Sequence, residues 1–417
     1  MKLIHLSDLH IGKRVNEFSM IEDQHYVFQQ IISIIQDEKP DAVLISGDVY
    51  DKSIPSEEAV SLCNEFFTNL SLLDTEVCVI SGNHDSAERL SFGAQLFEKA
   101  HIHIASAFHG EVETVLIPDK DGNTDMEVFM LPFVKPSSVR RFYEDETIVT
   151  YDDAVNVVMK HTKLNRNRIN VLMTHQFITG FISCESEEKS VGGIDQVSAE
   201  HFKNFDYVAL GHIHGPQNIS LTDDNGKVVP VRYCGTPLKY SFSEMKHQKS
   251  VTIVEFSDVH LTDNAIISRD DIEEIMKQDE FVINQVHSGR NRLYVRIDTR
   301  ELTPFREMRE IRGTYEELTL RDFYKDMETG DYLHVILTDE EDVPDALARL
   351  RTIYPNIMKF DYDNKRTRQR QEIRSVEQVE NKTPLELFSE LYEMQNNQPL
   401  AKQQEQFMTE LVDAIWK

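Results

Sequence analysis

The sequence predicts an α/β fold of mixed sheets flanked by helices, and three observations carry that expectation. Short apolar, β-branched runs recur at Leu3 to Leu6, Ala42 to Ser46, Val77 to Ser81, Val171 to Thr174 and Tyr207 to Leu210. Each is bounded by polar residues, as buried strands are. Between them, Val27, Ile31, Ile34 and Ile35 repeat at helical spacing, as do Ala59, Cys63, Phe66, Phe67 and Leu70. The third observation is one of place: a polar, chemistry-bearing motif follows every one of those runs.

The remaining elements follow in order. A hairpin is expected over 112–131, with Asp121-Gly122-Asn123 as turn material, and further strands over 228–234 and 250–256. Together these make a first domain over residues 1–265. From Asp270 the pattern changes: Leu293 to Ile297 reads as a strand, Phe305 to Ile311 as a helix, Leu333 to Leu337 as a strand, Val343 to Ile353 as a helix and Ile357 to Phe360 as a strand. That suggests a small α+β domain over 270–362. A charged linker follows over 363–382, with basic residues at Lys365, Arg366, Arg368, Arg370 and Arg374. Such a run reads as readily as a solvated linker face as it does as a contact for phosphate or a partner. In the tail, 383–417, Leu385, Phe388, Leu391 and Tyr392 share one helix face, and Phe407, Leu411, Ile415 and Trp416 share a second. Such faces have little of their own to bury against, so a partner protein is expected on them.

Composition narrows the class. A chain of 417 residues is long for one domain, and 40% hydrophobic with 28% charged residues is a globular mix. No run approaches the ~18 apolar residues of a membrane span. Lys2-Leu3-Ile4-His5-Leu6 reads as a strand rather than an export signal, and Cys63, Cys78, Cys184 and Cys234 form no Cys-x-x-Cys pair. Both features suit a cytoplasmic protein with reduced thiols. A formal net charge of -28 would repel a polyanion, which counts against a self-sufficient nucleic-acid binder. Bound divalent ions or a basic partner would offset it.

The motifs are Asp8-Leu9-His10, Gly47-Asp48-Val49-Tyr50-Asp51, Gly82-Asn83-His84-Asp85, His175 and Gly211-His212-Ile213-His214. Pairs of this kind arise by chance, and Asp258-Val259-His260 is a decoy, but Gly-Asn-His-Asp is expected only on the order of 0.003 times in a random chain this long. Ligands bind beyond the carboxyl ends of strands in open α/β sheets, so residues far apart in sequence can converge there. Two divalent ions about 3.5 to 4 Å apart need a bridging carboxylate, and Asp48 is the natural bridge. Imidazoles mixed with carboxylates and an amide suit manganese, iron or zinc better than magnesium or calcium; manganese is the first expectation. Eleven of the 16 histidines, His5, His25 and His101 among them, read as ordinary core or surface residues. The set implies a two-metal phosphoesterase site.

These ordered motifs resemble those of calcineurin-like metallophosphoesterases. The likeness continues through Gly235-Thr236-Pro237-Leu238-Lys239-Tyr240-Ser241-Phe242-Ser243-Glu244, which resembles the segment closing the catalytic domain in the SbcD family of bacterial nuclease subunits, relatives of the meiotic-recombination-eleven repair nucleases. Residues Leu302 to Leu318, Asp331 to Phe360 and the final helices resemble that family's cap and partner-binding tail. The resemblance implies a four-layer sandwich with a small α+β cap and a helical tail. It also implies Asp8, His10, Asp48 and His214 on one metal, with Asp48, Asn83, His175 and His212 on the other. His84 is then the non-ligand histidine that meets the scissile phosphate, with Asp51 orienting it. DNA ends and hairpins are the implied substrates, cut by 3′ to 5′ exonuclease and single-strand endonuclease action. The implied assembly is a homodimer within a heterotetramer, with an SbcC-like coiled-coil ATPase on the C-terminal helices. No Gly-x-x-x-x-Gly-Lys-Ser/Thr segment occurs, so any ATP dependence comes from that partner.

Two other readings share the site. A stand-alone phosphodiesterase for cyclic nucleotides or small diesters leaves the small domain and tail helices without a use. A DNA-end clamp with vestigial chemistry conflicts with a ligand set that has lost no member. Lys52-Ser53 follows Gly-Asp-x-x-Asp where protein-acting relatives typically carry Arg-Gly, which weakens a protein-phosphatase reading.

Overall fold

The five apolar runs become strands close to their expected limits: Lys2–Leu6, Ala42–Ser46, Glu76–Ile80, Ile169–Thr174 and Tyr207–Leu210. This is a computed structural model, and it describes residues 1–120, 124–179, 195–219, 221–224, 228–260, 281–286, 291–365, 367, 388–389, 392, 404 and 407–408. Two main sheets result. The first runs Phe281–Val286, Asn291–Glu301, Ser250–His260, Lys2–Leu6, Ala42–Ser46, Glu76–Ile80 and Ile102–Ala105 from edge to edge. Its last four strands are parallel to one another and its first three are antiparallel additions. The second runs Gln217–Ile219, Val231–Tyr233, Tyr207–Leu210, Ile169–Thr174, Met126–Leu131 and Glu113–Ile117, parallel except at its two edges.

Strand alternation decides the layers. Leu3, Leu44, Cys78 and Ile80 of the first sheet share a buried cluster with Val128, Met130, Val171, Met173 and Ala209 of the second, so the sheets pack face to face. Their neighbours in sequence, Ile4, Val43, Ile45, Val77 and Val79, are also buried and point the other way. Helices Ile21–Glu38 and Glu57–Ser71 bury Val27, Phe28 and Ile31 and Ala59, Phe66 and Phe67, and the Phe28 and Phe66 rings meet at 4.6 Å. On the far side of the second sheet, Leu172, Val208 and Leu210 cluster with Ala154, Val155 and Val158 of helix Tyr151–His161. The order is therefore helix, sheet, sheet, helix, the four-layer α/β sandwich. Side-chain caps set the helix starts: Ser56 Oγ accepts from Ala59 N, and Thr150 with Asp153 forms a capping box.

The chain divides into two compact units, Met1–Glu310 with Gly330–His334, and Ile311–Thr329 with Val335–Lys417. In the second, Thr314 and Glu317 cap helix Tyr315–Thr319, and the Tyr354 hydroxyl donates to Leu318 O at 2.7 Å. Strands Met308–Gly313, Tyr332–Leu337 and Ile357–Tyr362 form a three-stranded sheet.

Several expectations change. Phe305 to Ile311 is not a helix: Met308–Gly313 is a strand, because the ladder with Tyr332–Leu337 outweighs a three-residue apolar spacing that mimics a helical one. The helix expected over Val343 to Ile353 shrinks to Ala346–Leu350, starting after Pro344 and Asp345, whose φ is 54°. The strand expected at Leu293 to Ile297 is longer, Asn291–Glu301, and pairs along its whole length with Ser250–His260 in the first sheet. Strand Phe281–Val286 beside it was not foreseen. The hairpin of 112–131 forms, with Ile117 opposite Met126, while its turn at 121–123 lies outside the described residues. Cys63, Cys78 and Cys234 are free and buried. Cys184, the acidic run 270–274, and most of the basic stretch, the linker and the tail helices lie outside the described residues. Among the described residues, no helix is long and apolar enough to cross a membrane.

Candidate metal centre and active site

Every expected ligand leaves the end of a strand. Asp8, Asp48 and Asn83 follow three adjacent parallel strands of the first sheet, and His175 and His212 follow two adjacent parallel strands of the second. Because the sheets stack, both sets of ends open at one edge. Main-chain bonds fix the loops: Asp8 N donates to Gly47 O at 3.0 Å, His10 N to Asp48 O at 2.9 Å and Gly211 N to Thr174 O at 3.1 Å. Asp8, His10, Asp48 and His212 adopt φ of 52°, 43°, 50° and 96°, the left-handed region that side chains usually avoid. Such strain collects at functional sites, where the surrounding structure enforces it.

Two glycines are required by closeness alone. A Cβ on Gly82 would stand 2.0 Å from Asp48 Oδ1, and one on Gly211 would stand 1.9 Å from Ser46 O and 2.6 Å from His175 Nδ1. Only a bare backbone lets these loops approach the ligands so tightly.

The seven donors form one cluster with Asp48 at its centre. His10 Nε2 is 3.6 Å from Asp48 Oδ2 and 3.2 Å from His214 Nε2, while His175 Nε2 is 3.3 Å from the same Asp48 oxygen. Asn83 Oδ1 lies 3.1 Å from His175 Nε2 and 3.0 Å from His212 Nδ1. Asp8 joins both sides: it groups with His10 and His214, and with Asp48 and His175. Atoms about 2.1 Å from a common ion sit roughly 3.0 to 3.4 Å apart in octahedral or tetrahedral shells, so these spacings suit coordination. His212 Nε2 and His10 Nδ1, the ring nitrogens opposite those that face the cluster, are buried without a hydrogen-bond partner.

Electrostatics point the same way. Burial pushes the Asp8 carboxyl up to about 7, against the pull of His175. Burial also opposes ionisation of Asp48, but the charge on His175 and the bond to it prevail and hold that carboxyl well below its ordinary value. For His175 the balance is reversed: burial lowers it, Asp48 raises it further, and the result is about 9. Burial leads in lowering His10, His214 and His212, the last to about 3. His10, His212 and His214 are thereby held as the neutral imidazoles, and Asp48 as the ionised carboxylate, that take up divalent ions, whereas His175 and Asp8 must release protons to do so.

His84 borders the cluster, grouped with His10 and Asp48 but less buried than they are. Its Nε2 is 3.9 Å from Asp48 Oδ2, its main-chain N donates to Asp48 Oδ1 at 3.0 Å, and its side chain is partly open. Asp51 does sit beside it, but the atom facing His84 Nδ1, at 3.1 Å, is the Asp51 main-chain oxygen. The Asp51 carboxylate turns instead to Lys13 Nζ at 2.8 Å and His10 Nδ1 at 3.6 Å. The loop that carries Asp51 is already laid against the one that carries His84 by bonds from Val49 N and Tyr50 N to the Asp85 carboxylate.

Three residues escaped the sequence reading. Asp85 accepts from Val49 N, Tyr50 N and Gly82 N at 3.1, 2.9 and 2.9 Å, tying the Asn83–His84 loop to the Asp48 loop. Burial raises its carboxyl to about 6, and the negative Asp48 adds to the rise. Its place in Gly-Asn-His-Asp was the available signal. Glu244 and Lys249, 0% and 4% exposed, form a buried ion pair at 2.6 Å beneath His214. Burial disfavours the Glu244 charge, yet the Lys249 ammonium overrides it and the carboxyl lies far below its ordinary value. The decoy Asp258-Val259-His260 lies on the Ser250–His260 strand, away from these loops in sequence and fold.

A four-layer sandwich with this ligand cluster at its open edge defines a calcineurin-like phosphoesterase, and that family's profile matches residues 1–216. Residues 304–396 match a second profile, the type 5 capsule protein repressor C-terminal domain, SbcD_C. Two proteins named as the D component of nuclease SbcCD are similar over 86% of this chain and 84% of their own length: one from Staphylococcus epidermidis at 30% identity and one from Staphylococcus saprophyticus at 31%. The chain belongs to this SbcD family, metal-dependent nucleases of the calcineurin-like class. Among solved structures, a dimetal phosphatase from Danio rerio aligns over 73% of this chain and 99% of its own at 10% identity and a TM-score of 0.38. A superposition so loose carries no functional information.

Proposed function

We propose that the chain is the nuclease subunit of an SbcCD-type complex, hydrolysing DNA phosphodiesters at a centre of two manganese ions. The observation that supports this most is the donor cluster about Asp48, with His10 and His214 on one side, Asn83, His175 and His212 on the other, and Asp8 within reach of both. When bound, two such ions neutralise phosphate oxygens and make a coordinated water more acidic. The chain's own residues do the rest. A carbonyl oxygen only accepts, so His84 donates from Nδ1 to Asp51 O, which leaves Nε2 turned toward the diester. In its imidazolium form it gives the Nε2 proton to the departing 3′ oxygen of the neighbouring nucleotide, while water adds to phosphorus from the opposite side and loses a proton to solvent.

Other parts of the reading rest on the family and on exposed apolar surface. An SbcC-like coiled-coil ATPase would dock on the terminal helices, where Phe388 and Phe407 are exposed, and would supply both ATP dependence and the basic surface that a chain of charge -28 lacks. The cellular setting we infer is the cytoplasm. A second copy of this chain would pair through the apolar groove of about 570 Å³ between helices, lined by Val60, Phe67, Phe92 and Leu96 among others. The test is a manganese-dependent assay on end-labelled duplex and hairpin DNA, with and without the ATPase. Expected are 3′ to 5′ shortening of duplex ends and cuts in hairpins, both stimulated by the partner with ATP. Faster hydrolysis of a cyclic nucleotide than of DNA would favour the stand-alone diesterase, and binding of DNA ends without cutting would favour the clamp.

A further inference from the structure

We infer that Glu244, held by Lys249, is a positioning residue for the metal centre and fixes the ring and main chain of His214 together. The inference rests on the two-metal reading of the cluster, though not on DNA as its substrate. His214 directs Nε2 into the cluster, 3.2 Å from His10 Nε2. Its other ring nitrogen, Nδ1, faces Glu244 Oε1 at 3.8 Å. Lys249 Nζ donates to the His214 main-chain oxygen at 2.9 Å, to Thr236 Oγ1 at 2.7 Å and to Glu244 Oε2 at 2.6 Å. One ion pair thus meets the same residue at two points, hydrogen-bonded to its main chain and within 3.8 Å of its ring. The pair is itself anchored: Tyr240 N donates to Glu244 Oε1 at 3.3 Å, and the Thr236 hydroxyl donates to Leu238 O at 2.7 Å.

Burying two opposite charges rarely stabilises a fold more than well-packed apolar side chains would, so stability alone does not account for this pair. Metal-binding histidines, in contrast, work best when a carboxylate or carbonyl holds the ring nitrogen that does not face the metal. The cluster shows that arrangement elsewhere: His175 Nδ1 lies 2.8 Å from Ser46 O while its Nε2 faces Asp48 and Asn83. Glu244 occupies the corresponding place behind His214 at a longer 3.8 Å, from a segment that follows His214 by 30 residues in the chain.

The test is manganese titration of the full chain by calorimetry and by electron paramagnetic resonance, on the parent, Glu244→Gln and the double variant Glu244→Gln/Lys249→Met. Glutamine keeps the size of the side chain and removes its charge; the double variant also removes the buried ammonium left unpaired. Both variants are expected to bind one ion as the parent does and the other roughly 10- to 100-fold more weakly. The manganese concentration that half-activates hydrolysis of bis(4-nitrophenyl) phosphate should rise by the same factor. If Glu244→Gln fails to fold, the double variant decides. Parent-like binding of both ions in the double variant would overturn the proposal, because the pair would then serve the fold alone. A parent chain that binds two ions but does not cut DNA would leave this inference standing and remove the nuclease reading.

Discussion

The Nδ1 atom of His84 stands 3.1 Å from the main-chain oxygen of Asp51, while the Asp51 side chain faces Lys13 at 2.8 Å. The His84 imidazole is therefore oriented by backbone, and under the proposed reaction substitutions at the two positions should part company. His84→Gln should lower cleavage by about 10²- to 10⁴-fold, the usual share of a positioned acid, while metal content stays at the parent value. Asp51→Asn keeps the carbonyl that holds His84 and should lose far less activity, with its main effect on the manganese requirement through His10. Single-turnover rates and bound manganese, measured on both variants, check this. Equal loss of rate in the two would show that the Asp51 carboxylate does the orienting.

Gly82 gives a steric prediction. A methyl group there would stand 2.0 Å from Asp48 Oδ1 and 2.5 Å from Asp48 N, too close for either to remain. Gly82→Ala should cost about 1 to 3 kcal/mol in stability as the loop shifts, and affinity for both ions should fall because Asp48 serves both. Urea unfolding of the metal-free protein and manganese titration give the two numbers. Two undisturbed ions in Gly82→Ala would exclude Asp48 as the bridge.

How much of this could be read from the chain differs by layer. The cluster was legible because Asp8, Asp48, Asn83, His175 and His212 each follow a strand that its own apolar run announces. The support around them was less so. Asp85 hid within a motif already assigned, and the Asp51 carbonyl has no signature at all, since any residue supplies one. Glu244 and Lys249 act through tertiary contact with His214, which pattern alone does not reveal. Strand Met308–Gly313 was misread because Phe305, Met308 and Ile311 are spaced three apart, and the pairing that settles the matter comes from a strand about 20 residues away.

Acid should weaken the fold through His5. The ring is fully buried with Nδ1 2.9 Å from the Tyr207 hydroxyl, and burial first, then the Arg232 charge, lowers its pKa to about 3 from an ordinary 6.5. Between those values the unfolded chain binds a proton that the folded chain refuses. The stability contribution is thus fully present above pH 6.5 and falls as pH drops toward 3, with a slope of up to about 1.4 kcal/mol per pH unit. Asp8, raised by burial to about 7, acts in the opposite sense, because its folded form holds a proton that the unfolded form has released. A comparison with His5→Gln separates the two: urea midpoints of the metal-free variant between pH 6.5 and 4 should fall less steeply than those of the parent. An unchanged slope would mean that His5 is protonated in the folded state.

Self-association should depend on the apolar face formed by the helix Glu57–Ser71 and the short helices Ala87–Leu90 and Ala94–Phe97. Phe92 is 85% exposed and Leu96 72%, and both line the same groove as Val60 and Phe67. A contiguous apolar surface of this kind is uncommon on a protein that stays monomeric, and in a two-fold pairing each copy would present both the ridge and the groove. Leu96→Asp places a charge in the middle of that contact, where desolvating it without a partner costs several kcal/mol. Sedimentation velocity at micromolar concentration should then show a dimer for the parent and a monomer for Leu96→Asp. Manganese binding should be unaltered, since Leu96 touches none of the seven ligands. A parent that sediments as a monomer, or a variant that remains dimeric, would place the pairing surface elsewhere.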